Sequence, residues 1–105
     1  MFSYRHAFHA GNHADVLKHS VLIATLQHLI AKDTALMVLD THAGAGLYRL
    51  DGDYARISAE AEEGVLKLAA AASAPSAAPL PSLLQNYLEL VRGFNQGAHI
   101  RVYPG

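Results

Sequence analysis

The apolar positions of the chain change their period several times, and each change predicts an element. Between His13 and about Lys32, the residues Val16, His19, Ile23, Leu26 and Ile30 recur at spacings of three and four. That spacing places them on one face of a helix. Asp15 near its start and Lys32 near its end both complement the helix dipole. Asp33-Thr34 interrupts the pattern. Residues 35–39 are then continuously apolar, as expected of a strand covered on both faces. Ser58 to about Ala72 predicts a second helix, with Ser58 as N-cap and Glu60, Glu62 and Glu63 in its first turns. Gly64 inside it costs about 1 kcal/mol relative to alanine. Ala69 to Pro81 is an Ala/Ser/Pro connector of low complexity. Pro81 suits the first position of a third helix. Its stripe of Leu80, Leu83, Leu84, Tyr87, Leu88, Val91 and Phe94 is strong, and Gly93, Asn95 and Gly97 end it. His99 to Tyr103 alternates like a short strand, in parallel with the first. The expected order is an ordered arm over residues 1–14, helix, strand, glycine loop, two helices, strand. This is an α/β pattern with too few strands to close a sheet, so both edges would be bare.

A length of 105 residues allows one small domain or part of a larger one. With 51% hydrophobic and only 16% charged residues, the chain is apolar for a small free-standing domain and resembles a piece of a larger core. The net charge of −1 excludes a global basic field that would gather nucleic acid. Locally the balance differs: residues 1–20 hold Arg5, Lys18 and four of the seven histidines against one acid, Asp15. The absence of cysteine excludes a disulfide framework and thiolate chemistry. The N-terminal residues have no long apolar core of the signal-peptide kind, and no apolar run is long enough for a membrane span. The default expectation is a cytoplasmic protein without a membrane partner.

The apolar run ends in Asp40-Thr41-His42-Ala43-Gly44-Ala45-Gly46. Ligands of open α/β sheets bind beyond the carboxyl ends of strands, and glycine lets the backbone approach a ligand closely. The segment lacks both G-x-G-x-x-G and the Lys-Ser/Thr ending of a P-loop, which argues against an ATP or NAD site. An acid with glycines at +4 and +6 resembles motif I of S-adenosylmethionine-dependent methyltransferases. It is closest to the D-x-F-x-G-x-G form of amino-group methyltransferases acting on DNA and RNA bases, with His42 in the aromatic position. In such a site Gly44 and Gly46 would let the methionine part lie against the backbone, and His42 could donate to its carboxylate. Asp40 would either accept from the ammonium or fix the loop through backbone N–H groups. The plain alternative is a strand and turn with packing glycines.

The N-terminal stretch Tyr4-Arg5-His6-Ala7-Phe8-His9-Ala10-Gly11-Asn12-His13-Ala14-Asp15-Val16-Leu17-Lys18-His19 admits two readings. One is a metal site on His6, His9, His13 and Asp15, serving a metal-dependent hydrolase. Gly11 and Val16 stand where the H-x-H-x-D-H motif of binuclear zinc hydrolases needs histidines, so no metal is expected. The other reading takes the stretch whole. It resembles the N-terminus of the bacterial 23S ribosomal RNA adenine-N6 methyltransferase family, in which Y-R-H-x-F-H-A-G-N-H-A-D-V-L-K-H precedes L-D-T-H-A-G-A-G. Both blocks stand here in order, and Tyr103-Pro104-Gly105 matches the start of a third, Y-P-G-S-P. The resemblance spans the full chain and is weakest over residues 55–90.

That resemblance implies the N-terminal part of a Rossmann-like S-adenosylmethionine-dependent methyltransferase fold with a small helical insertion. Residues 1–46 would be the arm, first helix, first strand and glycine loop, residues 47–98 the insertion, and residues 99–105 the return to the methyltransferase domain. It implies that His19 and His42 help hold S-adenosylmethionine, with Lys18 beside His19 carried over; Asp40, Gly44 and Gly46 join the set from the motif-I reading above. Tyr4 would stand where the target adenosine enters, stacking on a base or donating through its hydroxyl. Arg5 would contact phosphate. On the residues alone, His19 is a buried histidine with one partner and Lys18 a solvated lysine. The implied partner is 23S ribosomal RNA, and the implied reaction is methylation of an adenine N6. The D/N-P-P-F/Y motif that holds such an amino group is absent. The chain is therefore expected to be an N-terminal fragment without a catalytic residue and inactive alone. The competing expectation is a non-catalytic RNA-binding module.

Overall fold

A computed structural model describes residues 4–76 and 78–105. The first three residues of the expected arm and one residue of the Ala/Ser/Pro connector thus lie outside the described residues. Residues 4–12 form an arm with one 3₁₀ turn, His6–Phe8. Helix α1 follows over His13–Ile30, capped by Asn12, whose Oδ1 accepts the Asp15 N–H at 2.9 Å. This cap satisfies one of the orphan donors of the first turn. Val16, His19, Ile23 and Leu26 are half-buried as the spacing predicts, whereas Ile30 is exposed.

The strand expected over residues 35–39 is not formed. The segment takes no regular structure and is unpaired, and Leu36, Met37, Val38 and Leu39 are exposed, Met37 to 92%. A strand exists only where neighbours take its N–H and C=O groups, and among the described residues nothing lies beside this one. The sheet is instead a two-stranded antiparallel ribbon. Strand β1, Leu47–Arg49, pairs with β2, Val102–Pro104, with Tyr48 opposite Tyr103. The parallel pair is thus replaced by an antiparallel one, shifted to the far side of the glycine loop. Asn95 secures β2: its Nδ2 donates to the carbonyls of Val91 and Val102, and its Oδ1 accepts the N–H groups of Arg101 and Val102.

The single helix expected from Ser58 is three pieces. Helix α2 spans Asp53–Ser58, so Ser58 ends a helix rather than capping one. Its hydroxyl donates to the carbonyls of Phe8 and Ala55, which ties the arm down. Ala59 is left-handed (φ 54°), a 3₁₀ turn covers Glu60–Glu63, and α3 begins beyond Gly64 at Val65–Ser73. Gly64 is a close-approach residue: a Cβ there would overlap the Gly11 carbonyl oxygen and the Asn12 backbone. The Val65 N–H donates to that Gly11 carbonyl at 2.8 Å. Gly11 itself is left-handed (φ 77°), which a side chain would resist.

Helix α4, Ser82–Arg92, follows Pro81, which caps it rather than opening it. It buries Tyr87, Leu88 and Val91. Phe94 lies past the helix end and is exposed. The core joins these residues to Ala61, Val65, Ile100 and Tyr103, with Val16 and Ile23 of α1 packed against it. The opposite side of α1 leaves Leu17, Val21, Leu22 and Leu29 open. No helix of the described residues is long and apolar enough to cross a membrane.

Candidate functional site

The first turn of α1 buries one carboxylate, and the arm is organised around it. Asp15 is only 3% exposed. Its Oδ2 accepts the Gly11 N–H at 3.0 Å and His6 Nε2–H at 2.9 Å, and its Oδ1 accepts the Lys18 ammonium at 3.0 Å. Burial pushes the Asp15 carboxyl up. The Lys18 hydrogen bond, the Gly11 N–H and the charges of His6 and Lys18 outweigh that and hold it below the usual carboxylate range. With His6 Nε2 spent on Asp15, its Nδ1 lies 2.6 Å from the Tyr4 hydroxyl. The Tyr4 ring stacks on His9 at 5.2 Å and 11°. His9 Nδ1 in turn donates to Glu60 at 2.8 Å, and Asn12 donates to the same carboxylate at 3.2 Å. Tyr4 is therefore fixed from two sides while 73% of it stays open.

One turn further along α1, His19 reaches into the helical core. Its Nδ1 lies 2.7 Å from the Tyr103 hydroxyl, which lies 2.7 Å from the Tyr87 hydroxyl. Burial pushes Tyr87 up to about 12 and Tyr103 higher still. Burial, reinforced by the Lys18 charge, pulls His19 below its ordinary value.

The glycine loop supplies the opposite wall. Asp40 Oδ1 accepts the His42 N–H at 3.0 Å, so of its two expected roles the loop-fixing one is present. Thr41 Oγ1 and His42 Nδ1 are 2.8 Å apart. The Tyr48 hydroxyl accepts the Ala45 N–H at 3.1 Å, and it fills the place a Cβ on Gly44 would take. Gly46 is left-handed (φ 85°), and its carbonyl accepts the Gly105 N–H at 2.7 Å.

These three stretches face one open cavity of about 1060 Å³. Tyr4, Lys18, His19, Asp40, His42 and Gly44 all line it, together with His6, Asp15 and Tyr48. Two of the residues singled out from sequence are not in its wall. Gly46 shapes the loop from behind. Arg5 donates to the Tyr54 hydroxyl at 2.8 Å and lies 5.6 Å over that ring. The histidines considered as metal ligands are divided: His6 goes to Asp15, His9 to Glu60, and His13 is exposed. Among the described residues, no three His, Asp or Glu side chains are grouped to hold a metal ion. Sequence reasoning missed Tyr48, Glu60 and the Tyr87–Tyr103 support of His19. The Asp15–Lys18 spacing of three was the one local signal available for the hub.

Residues 33–105 match the family described as ribosomal RNA large subunit methyltransferase D, RlmJ. The chain belongs to this family. It is 44% identical over its whole length to ribosomal RNA large subunit methyltransferase J of Escherichia coli (strain K12), covering 35% of that protein. It is 40% identical, again over its whole length, to the protein of the same name from Haemophilus influenzae, covering 36% of it. The crystal structure of protein LPL1258 from Legionella pneumophila superposes with a TM-score of 0.77 at 34% identity, over 91% of this chain and 33% of that one. The chain thus spans about a third of the length of the relatives it matches.

Proposed function

We propose that the chain is the cofactor-cradling and RNA-entrance portion of an S-adenosylmethionine-dependent methyltransferase that modifies N6 of an adenine in 23S ribosomal RNA. The observation that carries this reading is the convergence of Tyr4, Lys18–His19 and Asp40–Gly44, far apart in sequence, on one cavity. Its volume suffices for a nucleoside-sized ligand, since small-molecule sites span about 300–1,000 Å³. The donor set also fits. Asp40 keeps an acceptor oxygen for an ammonium, and His42 and His19 offer imidazole nitrogens to a carboxylate or a ring. When bound, S-adenosylmethionine supplies a methyl group on a positively charged sulfur. The residues of this chain bind and orient it. Tyr4, open and pre-stacked on His9, offers a platform for an unpaired base, and the exposed Arg5 offers a cation to its phosphate. No residue here is assigned to the chemical step.

In a protein as long as the relatives, residues 35–39 become a strand of a Rossmann-like sheet whose other strands lie outside this chain. Residues 1–46 and 99–105 then belong to the methyltransferase domain and residues 47–98 to its helical insertion. The test is transfer of labelled methyl from S-adenosylmethionine to 23S ribosomal RNA by the product of the full reading frame, with the modified base mapped. His19→Ala and His42→Ala should each weaken cofactor binding. Label on another base refutes the assigned product, and unchanged cofactor affinity in both variants refutes the assigned site. The 105-residue chain alone should transfer no methyl group.

A further inference from the structure

The Tyr87–Tyr103–His19 series contains three polar hydrogens and only a few places to put them. Tyr87 and Tyr103 are 1% and 0% exposed, within a cluster of Ala61, Val65, Leu88, Val91 and Ile100. Among the described residues, the Tyr87 hydroxyl has one partner, the Tyr103 oxygen, and the Tyr103 hydroxyl has two, Tyr87 and His19 Nδ1. If Tyr87 donates to Tyr103 and Tyr103 donates to Nδ1, every buried hydrogen is used. If Nδ1 carries the hydrogen instead, it donates to Tyr103. One of the two tyrosine hydrogens is then left facing apolar side chains. Orphaning a buried hydroxyl hydrogen favours the first arrangement by roughly tenfold or more.

We infer that Tyr103, backed by Tyr87, holds His19 as the neutral Nε2–H tautomer, so that the imidazole presents a fixed donor to the cavity and selects a hydrogen-bond acceptor atom of the ligand there. Tyr103 is the positioning residue acting through His19, and Tyr87 donates to it from behind. The upward displacement of both phenols keeps their hydrogens in place, and burial together with the Lys18 charge lowers His19, which favours the neutral ring that this tautomer requires. His19 Nε2 has no hydrogen-bond partner among the described residues, and the ring lines the cavity beside Lys18. The donor is therefore free for a ligand. The inference deepens the cofactor reading and rests on it only for the ligand's identity; the acceptor would be a carboxylate oxygen or ring nitrogen of S-adenosylmethionine.

The test uses the product of the full reading frame with ¹⁵N-labelled histidine. Long-range ¹H–¹⁵N spectra distinguish the tautomers, and a His19→Gln spectrum assigns the signal. The ligand-free wild type should show Nε2 protonated and Nδ1 bare. Tyr87→Phe leaves Tyr103 with Nδ1 as its one acceptor, so the tautomer should stay Nε2–H. Tyr103→Phe removes the hydrogen that occupies Nδ1, so a tautomer mixture should appear, and the variant should bind S-adenosylhomocysteine roughly three- to tenfold more weakly, the effect of one hydrogen bond. A wild-type His19 protonated on Nδ1 overturns the inference even if neither variant folds. So does an unmoved tautomer in folded Tyr103→Phe, or a mixture in folded Tyr87→Phe. The predicted tautomer without any S-adenosylhomocysteine binding would uphold this inference and overturn the cofactor reading.

Discussion

Replacing Asp15 by asparagine removes a charge and almost no volume, so it isolates what the carboxylate does for the arm. The Asp15 side chain is 4% exposed and receives His6, Gly11 and Lys18. Hydrogen bonds to a charged group contribute about 1.5–3 kcal/mol each. The Lys18 side chain is 56% exposed and can return to water, so its share falls to the roughly 0–1 kcal/mol of a surface pair. The Gly11 N–H keeps a neutral acceptor in asparagine. The His6 bond, with that side chain 19% exposed, is lost as a charge-assisted contact. The sum for Asp15→Asn is about 2–3 kcal/mol, a large part of the roughly 5–15 kcal/mol that holds a typical domain together. Asp15→Ala also strips the Gly11 N–H and should cost about 3–5 kcal/mol. Urea denaturation at neutral pH measures both. The native carboxyl lies below its ordinary 3.8, so its contribution is complete above that value and is lost as pH falls through the lower native one. The asparagine variant lacks this titration. The gap between the two proteins should therefore be widest near neutrality and close in acid. A gap that stays constant with pH, or one under about 0.5 kcal/mol at neutral pH, would refute the charged hub.

Gly64→Ala should cost about 1–3 kcal/mol, because both overlapping groups are backbone and cannot swing aside. An unchanged melting temperature would show that the arm is not seated there. Asn95→Ala removes four hydrogen bonds between the end of α4 and β2 and should lower stability by about 2–4 kcal/mol in urea. A shift under about 0.5 kcal/mol would contradict the assigned clasp. His19 should titrate by NMR below its ordinary 6.5, so its contribution to stability is full above 6.5 and fades as pH falls through the lower value. Titration at or above 6.5 would contradict its burial against Tyr103.

Local signals carried the helices that pack by their own periodicity. The stripe through Tyr87, Leu88 and Val91 predicts α4, and the Val16–Leu26 spacing predicts α1, because each face meets the core at the interval the sequence repeats. Residues 35–39 misled for a physical reason: an apolar run records what a segment can bury, not which neighbour covers it. Ser58 and Gly64 misled because their partners, Phe8 and Gly11, are about fifty residues away. A serine before three glutamates is an N-cap by local chemistry, yet the arm claims its hydroxyl as a donor. At the site, the blocks around Tyr4, Lys18–His19 and Asp40–Gly44 were visible as residues, while their supports were not. Tyr48 offers no local pattern that would place its hydroxyl against Gly44.

The two walls of the cavity differ in what holds them. The arm and α1 are braced from behind by the core of residues 47–104: Gly11 sits on the start of α3, Glu60 takes His9, and Tyr103 takes His19. The glycine loop is tied mainly to itself and to the ribbon, through Asp40 to His42, Tyr48 to Ala45 and Gly46 to Gly105. Ahead of it, residues 35–39 leave Met37 and Leu39 exposed, and the outer face of α1 leaves Leu17, Val21 and Leu22 exposed. An apolar surface of that kind drives association, since each fully buried side chain of this class gains about 1.5–3 kcal/mol. Covering it would fix the loop wall as firmly as the core fixes the arm wall. Ligand affinity should then depend on the loop wall's cover more steeply than the chain's own stability does. The imidazole of His19 is held by the core, whereas His42 is held only by Asp40 and Thr41 of its own loop.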